Sequence, residues 1–230
     1  MKKALITGGT GAIGSALCEA FSKDYEVIFT YNHNEKAAAE LAARIGARAV
    51  KCDISDREQV DALLKECGGC QVLINNAGIS EIAVFSDITP EKWDKMIDVN
   101  LTGAYNVTHA FLPLMIHNKD GAIINISSVW GVYGASCEVH YSAAKAGLIG
   151  FTKALAKEVG PSGIRVNCIA PGVISSEMNA HLSAEEMQEL IDSTPLMKMG
   201  TGKDVAEAAL YLANAGFVTG QTIGVDGGFY

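Results

Sequence analysis

Seven short runs of apolar and β-branched residues recur along the chain, separated by longer stretches whose apolar positions have helical spacing. The runs are continuous rather than alternating, which is typical of strands covered on both faces. Strands that alternate with helices in this way predict an α/β fold, with a doubly wound parallel sheet of about seven strands and helices on both faces. The predicted strands are KALIT, EVIFT, ARAVKC, QVLIN, AIINIS, IRVNCIA and QTIGVD.

The helical stretches lie near 12–23, 35–45, 56–66, 90–117, 138–159 and 203–214. No linker, repeat or low-complexity segment interrupts them, so one domain is predicted over residues 1–230. The irregular part is about 173–202, which holds a short helix and several methionines, among them Met178. Because this stretch follows a strand end, where ligands bind in open α/β sheets, it is either a packed excursion or a substrate lid.

Composition narrows the range of partners and compartments. The 230 residues are 49% hydrophobic and 19% charged, and the net charge is -8 at pH 7. An acidic chain without a lysine or arginine cluster argues against nucleic acid and anionic membranes as partners. No stretch approaches the ~18 to 20 apolar residues that span a bilayer. The first apolar run is also too short for a signal peptide, so a cytoplasmic protein is expected.

Cys67 and Cys70 form the sequence CGGC, a spacing found in redox pairs and in half of a metal site. No second cysteine pair or histidine pair completes a zinc site in the sequence. We therefore predict no metal, and we prefer a glycine-containing turn before the strand QVLIN.

The first predicted strand leads into GGTGAIG and then into a helix. Glycines at such a turn let the backbone approach a pyrophosphate, which then lies at the helix N-terminus. The spacing differs from G-x-G-x-x-G, since Ala12 stands two residues before Gly14. The sequence predicts a dinucleotide site formed by Gly8, Thr10, Gly11, Ala12, Ile13 and Gly14.

Tyr141 and Lys145 are four residues apart in a predicted helix, so both side chains lie on one helical face. A nearby ammonium favours the phenolate and is expected to lower the pKa of the tyrosine from its ordinary value of ~10. Such a phenol is a proton donor suited to reducing a ketone to an alcohol at neutral pH.

Several motifs together resemble those of the short-chain dehydrogenase/reductase family in order and spacing. They are TGGTGAIG, NNAG at 75–78, Asn100, Ser128, YSAAK at 141–145 and PGVISSEM at 171–178. The resemblance covers essentially the whole chain and implies a Rossmann-like fold and a nicotinamide cofactor. Ala12 departs from the family, which usually has its middle glycine there. Nucleotide binding is nevertheless expected, with Gly9 and Gly11 beside it.

The resemblance also implies a role for each of four catalytic residues. The Ser128 hydroxyl would hydrogen-bond the substrate carbonyl oxygen, and Tyr141 would give its proton to the developing alkoxide. Lys145 would lower the pKa of Tyr141 and hold the nicotinamide ribose. Asn100 would lie at a helix irregularity and hold a water that links Lys145 to solvent.

The residues after the second strand favour NADP(H) over NAD(H), because no acid stands there to bind a ribose diol before Glu35. Asn32 and His33 are either hydrogen-bond donors for a 2′-phosphate or turn residues only. By resemblance, Asp53 meets the adenine, Asn76 the ribose, and Ile174 and Ser176 the nicotinamide. Beyond the glycine-rich turn, the predicted cofactor contacts are Tyr31, Asn32, His33, Asp53, Ile54, Asn76, Ala77, Gly78, Tyr141, Lys145, Pro171, Gly172, Ile174 and Ser176.

The substrate pocket is predicted from the loop VWGVYGASCEVH, which lies between Ser128 and Tyr141. Trp130, Tyr133 and Val139 are candidate walls, whereas Glu138 and His140 belong either to the pocket or to an exposed rim. The predicted pocket comprises Trp130, Tyr133, Glu138 and Met178.

Two substrates follow from resemblance. The overall pattern is similar to bacterial 3-oxoacyl-[acyl-carrier-protein] reductases, which makes acyl carrier protein a candidate partner. The loop is similar to a bacterial subgroup that reduces the aminopentanone modification on elongation factor P. That second substrate carries an ammonium, for which Glu138 is a suitable partner.

Two further functions remain open. A protein that senses the cofactor without catalysis usually lacks the tyrosine or the lysine, and this chain keeps both. An alcohol dehydrogenase acting in the oxidative direction is disfavoured by the predicted NADP preference. The small residues of the predicted helices 90–117 and 138–159, together with the family's habit of pairing these helices between subunits, lead us to expect a homotetramer.

Overall fold

The computed structural model describes residues 1–175 and 183–229. Seven strands form one sheet in the order β3-β2-β1-β4-β5-β6-β7, and every neighbouring pair is parallel. The strand order reverses between β1 and β4, at the point where open α/β sheets bind ligands. The predicted doubly wound parallel fold is therefore confirmed. The strands are β1 Lys2–Ile6, β2 Tyr25–Tyr31, β3 Arg48–Lys51, β4 Val72–Asn75, β5 Gly121–Ile126, β6 Ile164–Pro171 and β7 Thr222–Val225.

Nine α-helices connect these strands within the described residues. None of them is long and apolar enough to cross a membrane. The helices are α1 Ala12–Phe21, α2 Glu35–Ile45, α3 Arg57–Cys67, α4 Pro90–Ile97, α5 Gly103–Asn118, α6 Val129–Tyr133, α7 Val139–Val159, α8 Ala184–Asp192 and α9 Gly202–Asn214.

Each face of the sheet carries its own apolar core, which is why the central strands are buried along most of their length. One core places Leu17 of α1 and Val205 of α9 against the sheet. The other packs Leu63 of α3, Phe111 of α5 and Val159 of α7 against the opposite face. Burial on both sides accounts for the continuous apolar runs in the sequence.

The predicted helix over 90–117 is two helices joined by a π-helical turn at Asp98–Thr102. The wider turn holds Asn100, which is 1% exposed. The family resemblance implies that Asn100 lies at a helix irregularity, and π-turns are common at functional sites.

The stretch after Ser128 also differs from a simple loop, because residues 129–133 form the short helix α6. Its first turn is capped by the Ser128 hydroxyl, which accepts a hydrogen bond from the Trp130 N–H at 3.1 Å.

The CGGC segment forms a turn at the end of α3. Gly68 and Gly69 have φ values of +68° and +94°, in the left-handed region that glycine adopts without strain. Cys67 and Cys70 are buried free thiols. Within residues 1–175 and 183–229, no group of three or more metal-ligating side chains is placed to hold an ion.

The excursion after β6 is closed at its base by two hydrogen bonds. Ser175 N–H donates to Gly200 O at 3.0 Å, and Gly200 N–H donates to Val173 O at 2.9 Å. The predicted contact residues Ser176 and Met178 lie outside the described residues. The end of the excursion packs on α1, since a Cβ at Gly202 would lie 2.5 Å from Ala12 O.

Candidate active site

The glycine-rich turn lies between the carboxyl end of β1 and the N-terminus of α1. Gly8 has a φ of +68°, and a Cβ there would lie 2.8 Å from the Ala77 Cα. A Cβ at Gly14 would collide with the Gly8 carbonyl oxygen. These two glycines therefore permit the close packing of the turn, on the helix and on the neighbouring strand end.

The first turn of α1 has the form of an anion-binding site. Its N-cap, Gly11, makes no side-chain capping bond, and a Cβ at Gly11 would have only one described atom within 4 Å, at 3.9 Å. The Ala12 side chain is exposed beside it. An open helix N-terminus of this kind fits the pyrophosphate of a dinucleotide, and the Ala12 methyl does not fill it.

Hydrogen bonds from neighbouring strands fix the glycine-rich turn. Gly9 N–H donates to Thr30 O at 2.8 Å, which ties the turn to the end of β2. The Asn76 amide donates to Thr7 O at 2.9 Å and to Gly8 O at 3.0 Å. Asn76 therefore joins the ends of β1 and β4 directly. The sequence motif NNAG did not reveal this bracing role.

The segment after β2 contains no carboxylate of its own before Glu35, as the sequence predicts. His33 is exposed, whereas Tyr31 and Asn32 are half-buried. The Asn32 amide donates to the Asp53 carboxylate at 3.4 Å. That contact brings the ends of β2 and β3 together at the edge predicted to hold the adenosine.

Asp53 and Ile54, the two cofactor contacts predicted after β3, differ in burial and in their hydrogen bonds. The Asp53 carboxylate accepts hydrogen bonds from the Ser55 N–H at 2.9 Å and the Ser55 hydroxyl at 2.6 Å. Ile54 is 5% exposed and belongs to the core that packs on α5. Its main-chain oxygen accepts a hydrogen bond from the Asn106 amide at 3.1 Å.

The four predicted catalytic residues lie at the carboxyl ends of β4 and β5 and on the helices that cover them. Ser128 follows β5, Tyr141 and Lys145 project from α7, and Asn100 lies in the π-turn. The Lys145 ammonium is 5.6 Å from the centroid of the Tyr141 ring. Ser128 and Tyr141 interact closely enough for the serine hydroxyl to lower the pKa of the phenol.

Gly78 brings the π-turn and α7 together. A Cβ at Gly78 would lie 2.6 Å from Asn100 Oδ1 and 3.3 Å from Lys145 Nζ. Only a residue without a side chain leaves room here for both polar groups. The glycine of the NNAG motif therefore allows the chain after β4 to approach Asn100 and Lys145 closely.

The Asn100 side chain has hydrogen-bond partners on both of its polar atoms. Its Oδ1 accepts from the Ile79 N–H at 3.2 Å, and its amide donates to Ile79 O and to Met96 O, each at 3.0 Å. These contacts fix the loop that follows β4 against the π-turn. The side chain thus positions Gly78 and Ile79.

Burial dominates the proton affinities of the Tyr141–Lys145 pair. The pKa of Tyr141 is raised to about 12, chiefly by burial and in smaller part by the Glu138 carboxylate, while the hydrogen bond with the Ser128 hydroxyl lowers it. Burial also lowers the pKa of Lys145 from 10.5 to about 8. The expectation that the tyrosine pKa lies below its ordinary value is therefore wrong, because the desolvation of the buried phenol outweighs the lowering by Ser128.

Lys145 is held in place by the strand end beneath it. Its ammonium donates to Ile126 O at 2.9 Å, and its own main-chain oxygen accepts from the Ser127 hydroxyl at 2.8 Å. The side chains of Ser127 and Ser128 therefore contact different residues of α7. Ser127 holds α7, and Ser128 faces Tyr141.

The residues predicted for the substrate pocket differ in how far their side chains are exposed. Trp130 is half-buried on α6, and Tyr133 is 53% exposed at the end of that helix. Glu138 is half-buried and accepts a hydrogen bond from the Ser80 hydroxyl at 2.7 Å. His140 is fully buried, so the exposed-rim interpretation is wrong for this residue.

The segment after β6 reaches the same edge of the sheet. Pro171 ends β6, and the Gly172 N–H donates to Val225 O at 3.0 Å. Ile174 is 6% exposed and pairs with Gly200 at the base of the excursion. Residues predicted from three distant motifs therefore come together at the carboxyl edge of the sheet.

Comparisons with known proteins agree with this arrangement. The family model described as "Enoyl-(Acyl carrier protein) reductase" matches residues 9–230. The chain belongs to the short-chain dehydrogenase/reductase family. It is an NAD(P)-dependent oxidoreductase that acts on carbonyl or alcohol groups.

Named relatives place it within that family. The chain is 40% identical to a 3-oxoacyl-[acyl-carrier-protein] reductase of Chlamydia muridarum, over 99% of this chain and 96% of the relative. It is also 40% identical to an acetoacetyl-CoA reductase of Rhizobium meliloti, over 99% of this chain and 98% of the relative.

A solved structure has the same fold. The crystal structure of a 3-oxoacyl-[acyl-carrier protein] reductase from Brucella melitensis matches with a TM-score of 0.93 and 37% identity, covering 99% of this chain and 90% of that one. The resemblance stated from the sequence motifs is therefore confirmed.

Proposed function

We propose that this protein uses NADPH to reduce the ketone of a 3-oxoacyl thioester to a secondary alcohol. The observation that carries the proposal is the convergence of Ser128, Tyr141 and Lys145 beside an open helix N-terminus. The ring of Tyr141 and the ammonium of Lys145 are 5.6 Å apart, and both side chains are at least nine-tenths buried. Named relatives that act on 3-oxoacyl and acetoacetyl thioesters support this choice of substrate.

The reaction follows from the positions of these groups. A nicotinamide dinucleotide, when bound, supplies the hydride that adds to the carbonyl carbon. The Ser128 hydroxyl donates a hydrogen bond to the carbonyl oxygen, which orients the ketone and stabilises negative charge on that oxygen. As the C=O π electrons move to oxygen, Tyr141 donates its proton there, and a proton from solvent restores the phenol. Lys145 lies beside the phenol and stabilises the phenolate while it lasts.

The raised pKa of Tyr141 suits this role. A phenol whose pKa is about 12 remains protonated throughout the neutral range and is present as a donor. The Lys145 pKa of about 8 keeps the ammonium charged below that pH. We therefore expect the rate of reduction to fall as pH rises through the Lys145 pKa, where the positive charge is lost.

The experiment is NADPH oxidation by the purified protein with acetoacetyl-CoA as a short 3-oxoacyl thioester, and with no ketone as the blank. Turnover that yields the 3-hydroxyacyl product supports the proposal. NADPH binding without turnover of any ketone would overturn it in favour of a protein that senses the cofactor.

The preference for NADPH is a separate proposal. It rests on the absence of an acid over residues 30–34 and on the exposed His33 beside Asn32. His33→Asp places a carboxylate near the predicted 2′-phosphate and should lower the NADPH-to-NADH ratio of kcat/KM by about tenfold or more, since like charges repel there. His33→Gln keeps a neutral donor and serves as the control. A wild-type protein that uses both cofactors equally would refute the preference.

A second substrate is favoured by one observation. The Glu138 carboxylate lies close enough to Tyr141 to raise the pKa of the phenol, and it is half-buried with Ser80 as a partner. A negative charge beside the reacting carbonyl suits a ketone that carries an ammonium, such as the aminopentanone modification on elongation factor P. Glu138→Gln should raise KM for a small amino-ketone and leave KM for the matching neutral ketone unchanged. Equal effects on both ketones would remove this candidate.

We also propose that residues 173–202 act as a substrate lid. The base of this excursion is fixed by the Ile174–Gly200 bridge, and the exposed side chains of Leu196 and Met197 lie just before it in the sequence. Protection of residues 183–199 from hydrogen exchange should increase when NADPH and a ketone analogue bind together, because an excursion that closes over ligand loses its solvent contact. Exchange that does not change with ligand would refute the lid.

A homotetramer is the proposed assembly. Apolar side chains of α5 remain 38–39% exposed at Tyr105, Leu114 and Ile116, and Phe217 lies fully exposed beside β7. Light scattering in solution tests this directly, and a monomeric mass would refute it.

A further inference from the structure

Residues 226–229, which follow β7, form a tight turn, the C-terminal turn, that has no part in the proposed reaction. The Asp226 carboxylate accepts a hydrogen bond from the Gly228 N–H at 2.9 Å. Gly227 and Gly228 have φ values of +66° and +80°, which side chains adopt only with strain. The Phe229 N–H donates to Asp226 O at 3.2 Å and closes the turn.

This C-terminal turn is packed against the residue that follows β6 and against the last part of the excursion, at residues 195–196. On one side, a Cβ at Gly172 would lie 2.7 Å from the Asp226 Cα. On the other, the Leu196 N–H donates to Gly227 O at 3.1 Å. A Cβ at Gly228 would lie 3.2 Å from Pro195 Cγ. The turn is therefore fixed relative to both ends of the excursion.

The turn presents the Phe229 ring to Trp130. The two ring centroids are 5.5 Å apart and the ring planes meet at 78°, the edge-to-face geometry that aromatic pairs prefer. The main chain of Trp130 is held separately, because its N–H donates to the Ser128 hydroxyl oxygen at 3.1 Å. Trp130 thus lies between the carbonyl-binding serine and the C-terminal turn.

We infer that the C-terminal turn determines substrate specificity, with Phe229 as a positioning residue that holds the Trp130 indole as a wall of the ketone pocket. The inference rests on the proposed function of the site. Trp130 follows Ser128 by only two residues, so its indole lies near the carbonyl site, where the acyl chain of a long substrate extends past it. Without the Phe229 ring, the side chain of Trp130 loses an edge-to-face aromatic partner, while the hydrogen bond of its main chain to Ser128 stays in place.

The expected effect depends on the size of the ketone. In Phe229→Ala, KM for a long-chain 3-oxoacyl thioester should rise about fivefold, the size expected from loss of one aromatic pair. The value of kcat should change little, because Ser128, Tyr141 and Lys145 keep their places. A small ketone that does not reach Trp130 should be reduced with unchanged KM. Phe229→Tyr keeps the ring and should restore the wild-type KM.

Tryptophan fluorescence tests the contact between Phe229 and Trp130 without any turnover. The chain has only two tryptophans, so Trp93→Phe leaves Trp130 as the sole tryptophan emitter. In that background, Phe229→Ala should increase quenching of Trp130 emission by acrylamide, and Phe229→Tyr should not. Phe85→Ala removes another exposed phenylalanine ring, 65% exposed, and is the matched control. Light scattering on each variant confirms that the oligomeric state is unchanged.

The outcomes separate this inference from the proposed function. If the wild type reduces 3-oxoacyl thioesters but Phe229→Ala changes neither KM nor the quenching of Trp130, the inference is overturned and the proposed function stands. If the wild type reduces no ketone, the proposed function fails. The quenching comparison then decides alone whether Phe229 orients Trp130.

Discussion

Replacing Lys145 by methionine should stabilise the fold and abolish activity. Lys145 is 4% exposed, and burial lowers its pKa from 10.5 to about 8. At about 1.4 kcal/mol for each pH unit, keeping this ammonium buried costs about 3 kcal/mol at pH values below about 8. Methionine fills a similar volume without a charge.

Part of that gain is lost with the hydrogen bond that Lys145 donates to Ile126 O at 2.9 Å. Leaving a buried carbonyl without this donor costs about 1 to 2 kcal/mol. The net stabilisation at pH 7 is therefore about 1 to 2 kcal/mol, or a rise in Tm of roughly 3 to 6 °C for a chain of this length.

The stabilisation should depend on pH in one direction. Because the pKa of Lys145 is lower in the folded state, the unfolded chain binds more protons between about pH 8 and pH 10.5. The unfavourable free energy of burying the ammonium therefore falls as pH rises through that window. The advantage of methionine is thus fully present below pH 8 and disappears by about pH 10.5. Urea unfolding of wild type and variant at pH 7 and pH 10 measures this, with Lys157→Met, an exposed site on the same helix, as the control. A variant that is destabilised at pH 7, or equally stabilised at both pH values, would refute the reasoning.

Three other substitutions follow from the packing. Gly14→Ala directs a methyl group at a carbonyl oxygen of the glycine-rich turn, so calorimetry should show NADPH binding weakened at least ~10-fold; unchanged affinity would contradict the assignment of this turn. Gly78→Ala places a Cβ 2.6 Å from Asn100 Oδ1 and should lower kcat by ~10²-fold. Gly150→Ala is the control, because a Cβ there has no described atom within 4 Å. It should keep kcat and raise the free energy of unfolding by about 1 kcal/mol. Equal kcat for the two alanine variants would show that the contact is unimportant. His140→Leu should raise stability by about 1 kcal/mol in thermal unfolding, since both ring nitrogens are buried without a hydrogen-bond partner in the described residues; a lower Tm would mean that the imidazole has a partner.

The strands and most helices could be predicted because local pattern and tertiary context agree in this chain. Continuous apolar runs such as AIINIS become strands buried on both faces, and Asn34 and Asp56 cap the helices whose starts the sequence indicated. The π-turn at 98–102 could not be placed from periodicity alone, since one extra residue in a helical turn leaves the apolar spacing of its neighbours almost intact.

The candidate site was less predictable where its properties depend on burial. Tyr141 and Lys145 were identified from their spacing, but the direction of the Tyr141 pKa was wrong because desolvation depends on packing from several elements. No local pattern indicates that His140 is buried. None indicates the contact of Phe229 with Trp130 either, because these two residues are distant in the sequence. Spacing therefore revealed which residues meet, while the structure determined their proton affinities and supports.

The most direct test of the account is reduction of acetoacetyl-CoA by NADPH in a Tyr141→Phe variant, with NADPH affinity measured on the same preparation. Tyr141 is 9% exposed, so the loss of its hydroxyl removes the proton donor with little change in packing. We expect wild-type NADPH affinity together with a fall in kcat of ~10² to 10⁴-fold, the range for a lost general acid. A variant that binds NADPH normally and keeps kcat within a few-fold of wild type would contradict the assignment of Tyr141 as the proton donor.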